Sequence, residues 1–247
     1  MDRFFSMDNK FFTFMGKVAD LCILNIVCLI CCIPIVTAGA SITAMFFVTM
    51  KMVKNEESYI IKSFFKSFRQ NFKQATVINL IMLAVATILY VDLRIVNQMG
   101  QPISQILHVI FLAFTVLYAM VFMYIYPVLA KFYNSTRNTF INAVLMSVRH
   151  LPYTVLMALV CACPIVLIFF APTFRVQSTI LVICLVIGGA VVAYCNSFFL
   201  VKIFEKYIPE DADKTYAEFC YKALLIYEAL SGAYSDTKPR VIDNILL

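Results

Sequence analysis

The chain has 247 residues, 62% of them hydrophobic and only 14% charged, with a formal net charge of +6. Because soluble domains average about 25% charged residues, this composition excludes an ordinary soluble protein. The apolar residues come in blocks, and a helix of about 20 apolar residues can cross the bilayer hydrocarbon. No block alternates apolar and polar residues as a membrane β-strand does. The predicted fold is therefore all-α, a polytopic transmembrane helical bundle.

The apolar blocks begin close to the N-terminus. They cover residues 18–50, with an interruption, and then 75–91, 106–130, 153–171 and 180–201. Charged residues are mixed with phenylalanines before residue 18, and no small-residue cleavage site follows the first block, so a removable signal peptide is not indicated. We expect the first block to remain in the membrane as an anchor.

Lysine and arginine alternate between rich and poor loops. The poor loops, after residues 91 and 171, contain only Arg94 and Arg175. The rich segments are 1–17, 51–73, 131–149 and 202–240. Since cytoplasmic loops carry the excess of these residues, we predict a multi-pass protein of the cell membrane with both termini in the cytoplasm.

The first block has a rich segment on each side, so an even number of crossings is expected within it. The motif IPIVTAGAS offers a turn, because Pro34 removes a helical hydrogen bond and Gly39 relaxes the backbone. This favours six crossings, with 18–33 as the first and 40–50 as a short or re-entrant return. The alternative is five crossings, in which the first block is one kinked helix and the N-terminus lies outside.

A shift of eighty residues aligns two parts of the chain. Lys51 then meets Lys131, Ser67 meets Ser147 and Arg69 meets Arg149. The match predicts a weak internal repeat, at about 46–95 and 126–175, in which each copy contains a cytoplasmic amphipathic elbow helix between two membrane helices. We therefore predict a single bundle over residues 1–207, followed by a cytoplasmic tail over 208–247.

The first elbow is KSFFKSFRQNFK, residues 62–73. On a helix, Ile61 and the four phenylalanines Phe64, Phe65, Phe68 and Phe72 share one arc, and the cations Lys62, Lys66, Arg69 and Lys73 share the adjacent arc. This separation is typical of an interfacial helix whose aromatic face lies in lipid and whose cations meet anionic headgroups. Binding of nucleic acid is not expected, because base-stacking aromatics must be exposed beside the cations. Docking of a partner protein by the cations is the alternative to lipid.

Two further segments have helical periodicity. The second elbow, 139–150, retains only Arg149 and His150 as basic groups, so we expect it to be buried against protein more than lipid. In the tail, residues 215–230 carry an apolar face that would dock under the bundle or receive a cytoplasmic partner.

The run from Lys17 to Leu80 resembles the YesL-like family of bacterial membrane proteins of unknown function. The most specific parts are CCIPIVTAGASITA, the elbow FFKSFRQNFKQAT and the nearly uncharged helix that follows. The resemblance implies a plasma-membrane location and an association with carbohydrate ABC importers. It supplies no catalytic residues.

Signatures of enzyme chemistry are missing from the sequence. The six glycines cannot form a phosphate-binding P-loop, and only two histidines are present. Eight of the nine cysteines lie in apolar blocks without the spacing of a zinc site, where cysteine acts as a small hydrophobe. We predict that the protein is not an enzyme and that it holds neither a cofactor nor a metal.

Polar residues at membrane depth are candidates for a transport function. One interpretation is that the broken helix exposes backbone groups to a substrate or partner, as discontinuous helices do in transporters. The residues of that site would be Asn25, Pro34, Thr37, Gly39, Ser41 and Thr43. The alternative is structural: Asp20, Asp92, Arg94 and His108 lie near the interfaces, and Asn79 and Asn196 make interhelical hydrogen bonds.

Together these observations predict a non-catalytic accessory component of a carbohydrate ABC import system. Its expected partners are a bilayer with anionic headgroups and subunits of the importer. An independent transporter or channel for a small solute is the alternative.

Overall fold

The structure is a computed structural model that describes residues 10–56, 59–100 and 102–207, and every regular element in these ranges is helical. The α-helices are α1 (Lys10–Cys32), α2 (Ala38–Val53), α3 (Ile60–Val96), α4 (Ile103–Lys131), α5 (Thr136–Arg149), α6 (Leu151–Phe169), α7 (Phe174–Ile183) and α8 (Gly189–Glu205). The chain divides into two compact units, Met1–Ile203 and Phe204–Leu247. The contacts described below belong to the first unit, and the predicted tail with its periodic segment 215–230 lies outside the described residues.

Within the described residues, six helical segments are long and apolar enough to cross a membrane. They are Phe14–Cys32, Ile35–Val53, Ile60–Val96, Ile103–Lys131, Leu151–Phe169 and Phe174–Glu205. This confirms the prediction of an all-α polytopic membrane protein. The last segment joins α7 to α8 through a π-helical stretch, Cys184–Gly188.

The first two helices form an antiparallel hairpin. Pro34 has an extended backbone and begins a short 3-10 turn, Ile35–Thr37, between them. At the open end of the hairpin, Lys17 Nζ donates to Asn55 Oδ1 at 2.9 Å although the two residues are 38 positions apart. The alternative of one kinked first helix is therefore wrong. The return helix is also longer than the predicted 40–50, because it continues to Val53.

Helix α2 lies at the centre of the bundle and is buried along most of its length. Its first turns contain Gly39, Ala40, Ser41 and Ala44, and small residues of this kind let neighbouring helices approach closely. The core that surrounds it draws on four helices. It contains Leu21, Leu24 and Cys28 of α1, Ala44, Met45, Val48 and Met52 of α2, Phe64 of α3, and Ala190 and Ala193 of α8.

Helix α3 has 37 residues and would be about 55 Å long at 1.5 Å per residue. It contains neither proline nor glycine, the residues that most often kink a helix. Near its midpoint, Asn79 bonds to Ile35 at the closed end of the α1–α2 hairpin. The first half of α3 therefore lies beside the hairpin, and the second half continues beyond it.

The second half of α3 pairs with α4 in an antiparallel arrangement. Tyr118 of α4 donates through its hydroxyl to the Met82 carbonyl at 3.2 Å, and Ser104 Oγ donates to the Val96 carbonyl at 3.0 Å. From Asn79 to Val96 this pair extends about 26 Å beyond the hairpin tip, at 1.5 Å per residue.

Candidate functional site

The hydroxyl groups at the predicted broken-helix site are turned onto the protein's own backbone. The Oγ1 of Thr37 donates to the carbonyl of Cys31 at 2.6 Å, and Ser41 Oγ donates to the carbonyl of Cys28 at 2.9 Å. Thr43 makes the same kind of bond to Gly39 at 2.8 Å. A carbonyl freed by a helix break must be satisfied within the protein at membrane depth. The Thr37 side chain provides this hydrogen bond for the Cys31 carbonyl at the end of α1, and the bonds of all three hydroxyl groups are internal.

Asn79 on α3 bonds to the break between α1 and α2 from outside the hairpin. Its Nδ2 donates to the Ile35 carbonyl at 2.8 Å, and its Oδ1 accepts from the hydroxyl of Tyr126 on α4 at 2.9 Å. The prediction that Asn79 makes interhelical hydrogen bonds is confirmed. Tyr126 was not predicted, because nothing in the sequence separates it from the other tyrosines of α4.

Replacing Tyr126 by phenylalanine should lower the stability of the bundle by about 0.6 kcal/mol, the average for an interhelical hydrogen bond in a membrane. Asn79→Leu should cost more, about 1–3 kcal/mol, because it leaves both the Ile35 carbonyl and the Tyr126 hydroxyl without their partner. Unfolding by SDS in mixed micelles measures both changes. Tyr59→Phe is the control, since Tyr59 is exposed, and an equal effect of all three variants would contradict this assignment.

Asn25 does not join the broken-helix residues. It is 3% exposed and is turned toward the π-helical stretch between α7 and α8. Its Nδ2 donates to the Leu185 carbonyl at 2.8 Å, and its Oδ1 accepts from the backbone N–H of Ala190 at 3.0 Å. The side-chain amide of Asn25 thus bridges the Leu185 carbonyl and the Ala190 N–H. These two groups lie where the π-helical stretch interrupts the α-helical hydrogen bonds. Of the six residues predicted for this site, Asn25 alone belongs to a different contact.

The four cations of the first elbow lie along one side of α3. Lys62, Lys66, Arg69 and Lys73 are all exposed. The opposite side of the same helix is buried and consists of Ser63, Phe64, Ser67, Ala75 and Ile78. Within the described ranges none of the four cations is paired with a carboxylate. We call these four residues the cationic stripe.

The aromatic face of the elbow differs from the prediction at Phe64. This side chain is 0% exposed and packs in the core with Leu24 and Met52, so it is not turned to lipid. Phe65 and Phe72 are exposed, and Phe68 is partly buried against the same core. The sequence cannot show which aromatic side chains of the arc contact protein and which contact lipid, because the protein core and the lipid are both apolar.

The first elbow is the beginning of α3 and not a separate helix, whereas the second elbow is a helix of its own, α5. The two are joined by hydrogen bonds. Gln70 Nε2 donates to the hydroxyl of Tyr133 at 2.5 Å, and Gln74 Nε2 donates to the Asn134 carbonyl at 2.7 Å. Because Tyr133 and Asn134 connect α4 to α5, these bonds fix the cationic stripe relative to the second elbow.

Some of the other polar groups of the described chain also bond between helices. Thr49 of α2 bonds to Ser197 of α8 at 2.8 Å, and Asn196 Nδ2 bonds to the Cys161 sulfur at 3.3 Å, which confirms the interhelical bond predicted for Asn196. Among the described residues, two buried side-chain oxygens have no hydrogen-bond partner, the Oγ1 of Thr76 and the Oδ1 of Asn196. In the part of the chain that the structure describes, no three His, Cys, Asp or Glu side chains are grouped as metal ligands would be.

Six long apolar helices whose polar groups bond across helices define a polytopic helical membrane protein. Residues 21–93 match the family described as "Protein of unknown function, DUF624". The chain is also 26% identical over 167 residues to the "Uncharacterized protein YesL" of Bacillus subtilis (strain 168), in an alignment that covers 67% of this chain and 78% of that protein. No solved structure shows a significant match. The predicted resemblance is confirmed: the chain is similar to the YesL-like membrane proteins, a family whose function is unknown.

The family match covers the part of the chain that carries the two candidate sites. It begins in α1 and ends near the end of α3, so it includes the hairpin break and the whole cationic stripe. Both candidate sites thus lie in the segment that matches the family.

Proposed function

We propose that the protein is a non-catalytic accessory component of a carbohydrate ABC import system in the cell membrane, and that the cationic stripe is its contact with the importer. The importer context comes from the resemblance to YesL-like proteins. The observation that carries the proposal is the stripe itself, in which four exposed cations without carboxylate partners in the described chain lie on one side of one helix. Both termini would lie in the cytoplasm, on the side of the stripe.

The interior of the bundle supports an accessory function over a transport function. At the helix break, where a substrate site was predicted, the side chains of Thr37, Ser41 and Asn79 are bonded to backbone carbonyls. A transporter site of the discontinuous-helix kind offers such groups to its substrate. Here they hold the hairpin together.

The main test is isolation of the protein in mild detergent, with identification of the proteins that accompany it. We expect subunits of an ABC importer in the wild-type sample. Their recovery should fall strongly when Lys62, Lys66, Arg69 and Lys73 are all replaced by glutamine, because the charge that attracts an acidic partner surface is removed.

The matched control exchanges the cations while keeping the charge, with Lys62→Arg, Lys66→Arg, Arg69→Lys and Lys73→Arg together. Importer subunits should remain bound to this variant. If the glutamine variant binds them as well as the wild type does, the stripe is not the contact. If the glutamine variant instead loses its association with anionic membranes, the stripe serves lipid headgroups.

An independent transporter for a small solute is the second candidate. The oxygens of Thr76 and Asn196 favour it, because they are buried polar groups without a partner in the described chain, and such groups often face a ligand or water. Solute flux by the purified protein alone in liposomes would establish this function and would replace the accessory proposal.

A further inference from the structure

The α1–α2 hairpin and the cationic stripe occupy the same part of the bundle's length. The open end of the hairpin is marked by the bond between Lys17 and Asn55, and its tip by the bond between Ile35 and Asn79. The cationic stripe lies on α3 before Asn79 and therefore runs beside the hairpin. A membrane placed around the hairpin would also enclose the stripe.

Enclosing the stripe is unfavourable. Charged side chains inside the hydrocarbon are costly and normally face a partner charge or a water-filled cavity. The four cations have no carboxylate partner in the described chain, and they face away from the bundle. From Lys62 to Lys73 they extend over about 16 Å of helix at 1.5 Å per residue, which is too far for all of them to reach one membrane surface.

A second part of the bundle is better suited to the hydrocarbon. Beyond Asn79, α3 and the first half of α4 each expose eight large apolar side chains. No charged residue occurs on α3 between Ala75 and Val91. From Ala75 to Val96 the helix covers about 32 Å, close to the roughly 30 Å of bilayer hydrocarbon.

We infer that α1 and α2 form a re-entrant hairpin that does not cross the bilayer. Its tip, Ile33–Val36, enters the leaflet on the side of the cationic stripe and ends there. If the hydrocarbon begins near Ala75, the tip at the level of Asn79 lies about 6 Å inside it, within the depth of 5–10 Å that amphipathic membrane-surface elements reach.

The side chains at the tip fit this placement. Ile33 is 77% exposed and Ile35 is 66% exposed, and the carbonyl of Ile35 is bonded to Asn79. The tip thus presents large apolar side chains while its polar backbone is satisfied, as entry into hydrocarbon requires. The partner of this surface is lipid.

Cysteine labelling in intact cells with a membrane-impermeant maleimide tests the inference. Three variants are compared with the wild type, whose native thiols set the background: Ile35→Cys at the tip, Met99→Cys between α3 and α4, and Glu56→Cys at the open end of the hairpin. We expect Met99→Cys to be labelled several-fold above background, Glu56→Cys only after permeabilisation, and Ile35→Cys under neither condition. Labelling after denaturation in SDS shows that each thiol is present.

The labelling of Ile35→Cys is compared with the labelling of Met99→Cys. Equal labelling of both in intact cells means that the hairpin crosses the bilayer, and it overturns the inference. Labelling of Ile35→Cys only after permeabilisation, together with Glu56→Cys, places the tip in water and also overturns it. If the whole protein has the opposite orientation, Glu56 and Met99 exchange behaviour. That result contradicts the orientation in the proposed function, but the comparison of Ile35 with Met99 can still be made.

Discussion

The variant Gly39→Ala is expected to lower the free energy of unfolding of the bundle by about 1–3 kcal/mol, the usual cost of overpacking. A Cβ atom at this position would lie 2.7 Å from the Ala75 carbonyl oxygen and 2.7 Å from the Cβ of Asn79. Neither obstacle is the flexible end of a side chain, so α2 and α3 have to move apart. Because Asn79 also bonds to Ile35 at the hairpin tip, that movement weakens this hydrogen bond.

Gly16→Ala is the matched control for this experiment. Gly16 lies in α1, and an added Cβ atom would meet nothing within 4 Å. Since alanine is favoured over glycine in a helix by up to about 1 kcal/mol, this variant should be as stable as the wild type or more stable. SDS unfolding in mixed micelles compares the two. Equal stability of Gly39→Ala and Gly16→Ala would mean that α2 and α3 are not in the close contact described.

The second large effect is expected at the contact between Asn25 and the π-helical stretch. Asn25→Ala removes the bridge between Leu185 and Ala190 and should cost about 1–3 kcal/mol, because a partly buried acceptor and a buried donor lose their partner. Gly189→Ala should also be destabilising, since its Cβ atom would lie 2.7 Å from Asn25 Oδ1.

A double-mutant cycle separates this contact from general damage. In the Asn25→Ala background the obstacle to a larger residue 189 is gone, so Gly189→Ala should be tolerated, with a coupling of about 0.5–3 kcal/mol between the two sites. Gly16→Ala in the same background serves as the additive control. Additive losses from Asn25→Ala and Gly189→Ala would show that the two residues do not touch.

The hairpin could be predicted from sequence because two independent signals agree on it. Pro34 marks a break, and the basic segments on both sides of the first block require the chain to return. The end of the return helix was placed too early. Helical pattern gives element boundaries less reliably than element type, and α2 continues through the charged residue Lys51 to Val53.

The sequence predicted that Asn25 belongs to the broken-helix site, and its actual contacts could not be predicted from the sequence. Asn25 and Thr37 are close along the chain, and both are polar residues in an apolar block. The partners of Asn25 are 160 and 165 residues away, and no local pattern predicts contacts over such a separation. The pair Gly188-Gly189 is a weak local signal, because glycines in an apolar helix permit close helix packing, and Gly189 does lie against Asn25.

The π-helical stretch Cys184–Gly188 has a consequence for the alignment of sequences related to this one. A π-turn contains one residue more than an α-turn, and one residue corresponds to a rotation of about 100° in an α-helix. A relative that lacks one residue here, and lacks an asparagine at position 25, would have a regular helix in which the face of α7 is rotated relative to α8. A gap of one residue in this region should therefore co-occur with the loss of Asn25.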